Sequence, residues 1–130
     1  MNQAEVSREV KLSIPAEEAY APVATLALSG LGMVLGLDVD LLGDLRTVAS
    51  ECLDCLMHQA ARPGRIDIES FVENGQLKVC FRACERGDAC QPGDDLALEI
   101  TRGVLETLMP QVELAADENG VHGIECSMSV

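Results

Sequence analysis

At 130 residues, 48% of them hydrophobic, the chain is long enough for one domain with a sizeable core. No Trp, one Tyr and two Phe make that core aliphatic and leave few aromatic platforms for stacking bases or sugars. Nine basic against twenty-two acidic residues give a net charge of −13, which argues against direct DNA or RNA binding and points to a basic protein patch as partner.

In chain order, residues 6–14 (VSREVKLSI) bring Val6, Val10, Leu12 and Ile14 to one face of a strand that ends at Pro15. Pro15-Ala16-Glu17-Glu18 reads as a helix start, acidic in its first turn. The run from Tyr20 to Leu37 carries Val23, Leu26, Ala27, Gly30, Leu31, Val34 and Leu35 at helical spacing, a buried helix whose glycines and alanines predict close packing. The central stretch, Asp38 to Gln59, predicts the helix around which the rest is organised. Leu41, Leu42, Leu45, Val48, Ala49, Cys52, Leu53 and Leu56 form its apolar face, Asp38 or Asp40 caps it, and Arg62-Pro63-Gly64 stops it. Beside that face Asp44, Glu51, Cys55 and His58 point roughly the same way. A carboxylate, a thiol and an imidazole in one row can do chemistry; the plainer reading is the half-exposed edge of a buried helix.

Arg65 to Glu73 and Gln76 to Cys84 alternate with strand period around Asn74-Gly75, the strongest hairpin signal in the chain. Glu85 to Asp95 reads as a loop and Leu96 to Leu108 as a third helix. Gln111 to Ala116 and Val121 to Met128 close the chain as a hairpin around residues 117–120. The fold expected is α+β: a single domain, residues 1–130, built as a two-layer sandwich with three helices on one face of a mixed, mostly antiparallel sheet.

This order of elements resembles the histidine-kinase-like (GHKL) ATPase domain and, more narrowly, the anti-sigma-factor serine kinases of bacterial partner switching. The residues that carry the resemblance are KLSIPA (11–16), DLLGDLRTVASECLDCL (40–56) and LETLMPQVELAADENGVHGIECSM (105–128). In that family the central helix bears a Glu followed four residues later by a magnesium-binding Asn. The resemblance places Glu51 as the general base, but Cys55 stands where the Asn belongs, and a neutral thiol is a poor ligand for a hard cation. Asp54 is next door yet about 100° away around the helix. The family histidine one turn on falls on Gln59, with His58 one residue early. The Asp-x-Gly-x-Gly that reads adenine falls on Ala83, Glu85 and Gly87, and Asp94-Asp95 replaces the end of the glycine-rich lid where phosphate would rest.

What the resemblance implies is therefore a scaffold kept and a nucleotide pocket decayed: an anti-sigma regulatory factor acting by protein–protein binding. Its partner would be a sigma factor or an anti-sigma antagonist, with a homodimer through a sheet edge or the first strand, and with no cofactor. ATP and Mg2+ enter only if the site is functional. In that case the chain is an active serine kinase, with Glu51 activating a partner's hydroxyl and Asp54 or Glu85 supplying metal oxygens.

A third reading is a thiol or metal protein using the C-x-x-C of Cys52 and Cys55 with Cys80, Cys84 and Cys90; a lone C-x-x-C inside a helix is weak support for it. His58 reads as structural, and His122 has no visible partner in the sequence. No apolar run reaches the roughly 20 residues that span a bilayer, and residues 1–10 lack the layout of a signal peptide. A cytoplasmic protein with mostly reduced cysteines is expected.

Overall fold

The structure, a computed structural model, describes residues 9–58, 63–84, 103, 106–107, 111–117 and 120–129. The element order is β1 (Val10–Pro15), a 3-10 turn (Glu18–Tyr20), α1 (Ala21–Val34), α2 (Val39–Met57), β2 (Arg65–Glu73), β3 (Gln76–Cys84), β4 (Gln111–Asp117) and β5 (Gly120–Ser129). The fold is α+β, with a five-stranded sheet in the order β1-β2-β3-β5-β4. Every pairing in it is antiparallel, which corrects the mixed sheet expected above. The third predicted helix, residues 96–108, lies outside the described residues except for Gly103, Glu106 and Thr107, which are helical.

Local chemistry sets the boundaries. Pro22 sits in the first turn of α1, where its missing N–H leaves nothing unpaired. The helix ends in a left-handed glycine, Gly36 at φ 77°. Gly36 N–H donates to the Met33 carbonyl at 3.1 Å and Leu37 N–H to that of Gly32 at 3.0 Å, so the last carbonyls are satisfied before the chain turns back. Asp38 then caps α2: its carboxylate accepts from Leu41 N–H at 2.9 Å. Asn74 and Gly75 take φ 53° and 73°, the pair of positive angles that a two-residue hairpin turn demands, and this locks Glu73 opposite Gln76.

The core lies between the helices and one face of the sheet. From the sheet come Ile14, Ile66, Ile68, Leu77, Val79, Phe81, Ile124, Cys126 and Met128; from α2 come Leu45, Val48, Ala49, Cys52, Leu53, Leu56 and Met57. The predicted apolar face of α2 is the buried one.

The predicted face of α1 is so only in part. Ala24, Leu28 and Gly32 are buried and the predicted Leu31 and Leu35 pack against the core, whereas Val23 is 46%, Leu26 64% and Val34 82% exposed. The reason is that α1 contains no charged residue, so its sequence carries no polar side to tell periodicity which way solvent lies. Closeness to α2 decides instead. A side chain at Gly32 would meet Leu42 Cδ2 at 2.5 Å, so the helices approach where α1 is smallest.

Candidate functional site

The stripe singled out on α2 is half-buried along most of its length: Asp44, Glu51 and Cys55 all lie at the margin of the core. The plainer of the two readings thus describes their burial. The Cys55 thiol is pushed up, first by burial and then by the Glu51 carboxylate one turn before it. A protonated thiol beside a carboxylate offers a divalent cation one oxygen ligand and a sulfur of the wrong hardness. Ala83, on β3, is buried on the inner face of the sheet and has no group with which to read a base. Glu85, Gly87, Asp94 and Asp95, the remaining positions of the nucleotide motifs, lie outside the described residues.

The two thiols of the C-x-x-C differ in burial, Cys52 being buried and Cys55 half-buried. Cys52 turns into the core and its sulfur lies 3.9 Å from that of Cys126 on β5. Burial above all, and then the contact with Cys126, pushes the Cys52 thiol well above the ordinary range. Cys80 and Cys84 are raised too, in each case by burial first. A redox or metal-binding thiol needs the opposite shift, toward the thiolate. The five described cysteines are free; Cys90 lies outside the described residues.

His58 leaves the stripe. As the residue that closes α2, it places Nε2 at 2.6 Å from Glu18 Oε1 in the 3-10 turn and 3.8 Å from Asp54 Oδ1. Glu18, Asp54 and His58 have metal-ligating atoms within 4.8 Å of one another, and all three are solvent-exposed. On this geometry they link the 3-10 turn to the end of α2 across the surface. Among the described residues no helix is long and apolar enough to cross a membrane.

A scan against protein-family models and a search of curated proteins find no match. Among solved structures, the chain is similar to the crystal structure of the RsbU and RsbW domains of Rv1364c from Mycobacterium tuberculosis. The TM-score is 0.67 at 10% identity, covering 95% of this chain and 32% of that one. The likeness is one of fold. One residue in ten is the same, and the chain spans less than a third of that chain's length.

Sequence reasoning missed two constellations here, because both join residues far apart in the chain. Cys126 is separated from Cys52 by 74 positions; its inward parity with Ile124 and Met128 signals a core residue but not which one it meets. The other is a network on the outer face of the sheet. Ser13 Oγ donates to Asp67 Oδ1 at 2.6 Å, Arg65 Nε donates to the same oxygen at 2.9 Å, and the Cys84 thiol donates to Oδ2 at 3.3 Å. The bonds from Arg65, and then from Ser13, hold the Asp67 carboxyl at about 2, below its ordinary 3.8.

A folded-state value below the unfolded one stabilises the protein at pH above about 4 and is lost as pH falls toward about 2. Asp67→Asn is expected to cost about 1 kcal/mol at neutral pH. Urea unfolding of the variant should change less than that of the parent across this acid window. An unaltered acid dependence would remove Asp67 as its source.

Proposed function

We propose that the protein is a regulatory factor of the anti-sigma, partner-switching kind that works by binding other proteins, with a nucleotide pocket that no longer serves ATP. It is read as one domain, acting in the cytoplasm. The observation that carries this reading is the combination of a fold like that of the RsbU–RsbW structure along 95% of the chain with a half-buried, protonation-favoured Cys55 beside Glu51. A magnesium-binding amide would stand at that position in an active kinase of the family resembled. The buried Ala83 supports the same reading, because the adenine-reading carboxylate is missing from the strand next to the helix layer. Glu51 is then a remnant of the catalytic base. A charge of −13 suits a partner surface rich in Lys and Arg, as on a sigma factor or an antagonist that competes with it, and does not suit nucleic acid.

Isothermal titration with ATP and Mg2+ tests the nucleotide half. The expected result is no saturable binding up to about 1 mM ligand, which corresponds to less than about 4 kcal/mol of affinity. Micromolar binding would restore the kinase reading, with Glu51→Ala then abolishing phosphate transfer to the partner. The binding half is tested separately, by the ability of the purified chain to hold a sigma factor in the absence of nucleotide.

A further inference from the structure

At the end of α2 the fold gathers three metal-ligating side chains that the regulatory reading leaves unused. Asp54 and His58 stand one turn apart, at i and i+4, so both leave the helix on the same side. Glu18 reaches them from the 3-10 turn that precedes α1. The backbone beneath each of them is held. His58 N–H donates to the Asp54 carbonyl at 3.0 Å, and Tyr20 N–H donates to that of Glu17 at 2.9 Å, closing the turn that carries Glu18.

We propose that Glu18, Asp54 and His58 form a binding site for a divalent transition-metal ion, zinc above all. Geometry carries the proposal. His58 Nε2 is 2.6 Å from Glu18 Oε1 and 3.8 Å from Asp54 Oδ1, and the ligating atoms of the three residues all lie within 4.8 Å of one another. Three atoms so spaced lie no more than about 2.8 Å from one common point, and zinc bonds to nitrogen and carboxylate oxygen run about 2.0–2.2 Å, so movements of under about 1 Å close the shell. Charge favours a cation at the same place. α2 ends there with the negative pole of its dipole, and its last turn holds no basic residue.

The donor set chooses the ion. Magnesium and calcium want oxygen alone, whereas one imidazole with two carboxylates suits zinc and its neighbours. Water completes the coordination, since the side chains of Glu18, Asp54 and His58 are 69%, 70% and 50% exposed. Zinc takes the Nε2 lone pair of the neutral ring, and a proton held between His58 and Glu18 leaves to solvent. The ion then ties the turn that leads into α1 to the end of α2. The site uses neither Glu51 nor Cys55 and is independent of the anti-sigma reading.

Zinc titration of the full, reduced chain, followed by NMR of the imidazole protons, is the test. With only His58 and His122 in the chain, the signals are few, and His58→Gln assigns them. The expected result is that Zn2+ shifts the His58 signals with a Kd of about 1–100 µM and leaves those of His122 in place. Glu18→Gln and Asp54→Asn, both at exposed positions and checked for folding by circular dichroism, should each weaken binding by about tenfold or more. Mg2+ at about 1 mM should move nothing. Six cysteines offer zinc a competing route, and Co2+ in its place separates the two, because thiolate ligation adds a strong charge-transfer absorption that a nitrogen–oxygen site lacks. His58 signals that stay put at about 1 mM Zn2+ overturn the proposal. So do carboxylate variants that bind zinc as the parent does, equal shifts with Mg2+, or cobalt bound through thiolate with His58 unmoved. Failure of sigma-factor capture would count only against the regulatory reading and would leave the metal site standing.

Discussion

Phe81→Ala is expected to cost about 3–5 kcal/mol, the range for emptying an aromatic site in a packed core. Phe81 is 1% exposed and stands on β3, in the middle of the sheet, between Ile68 on β2 and Ile124 on β5. Of the two phenylalanines in the chain it is the one in the described core, which is otherwise filled by aliphatic and sulfur-containing side chains. Against a typical total of about 5–15 kcal/mol this is a large fraction. The thermal midpoint should fall by about 10–20 °C. Urea unfolding should show a lower midpoint at an unchanged slope, since the surface exposed on unfolding barely changes. Phe71, half-buried on β2, is the control. Its replacement by Ala should cost less than about 2 kcal/mol. Equal losses at the two positions would mean that the layers are not where the structure puts them.

Two glycines of α1, two residues apart, should respond in opposite directions. A Cβ at Gly32 would lie 2.5 Å from Leu42 Cδ2, 3.3 Å from Leu37 Cδ1 and 3.5 Å from Leu45 Cδ2. Gly32→Ala can be absorbed in part by rotation of Leu42, and it gains about 1 kcal/mol of helix propensity, so its net effect is small. Gly32→Leu has no such escape and is expected to cost about 2–3 kcal/mol by forcing α1 away from α2. Gly30 faces open space. There Gly→Ala should stabilise the fold by about 0.5–1 kcal/mol, because a flexible unfolded state loses freedom and the site is open. Chemical denaturation reads both. A stabilising Gly32→Leu would show that α1 does not rest on α2 at this point.

The same helix shows most plainly where reading the chain in one dimension stops. For α2 the periodicity is enough, since Asp40, Arg46, Asp54 and their polar neighbours mark the solvent side, and of the predicted apolar set Leu45, Val48, Ala49, Cys52, Leu53 and Leu56 are buried, with Leu41 and Leu42 half-buried. The hairpin of β2 and β3 was equally legible, because Asn-Gly admits the positive φ angles of a tight turn and strict alternation then fixes which side chains face in. In α1 the pattern was clear in period but silent in phase. No charge marks a side, and of the row read from the sequence Val23, Leu26, Ala27, Gly30 and Val34 face solvent while Leu31 and Leu35 pack against the core.

Periods, the cap of α2 and the hairpin turn are written in the chain's local residues: Asp38 over Leu41 N–H, and Asn74-Gly75 between β2 and β3. These depend on a few neighbouring residues and on backbone sterics, which one chain segment contains in full. Residue type alone also says that Cys55 offers a thiol and Ala83 a methyl. Packing in three dimensions was needed to show that Cys52 meets Cys126, that Asp67 gathers Ser13, Arg65 and Cys84, and that α1 turns Ala24 and Leu28 inward. Each of those outcomes rests on which surfaces approach closely across long stretches of chain, and close approach is governed by the shape of the packed layers, a property that no local window of residues carries.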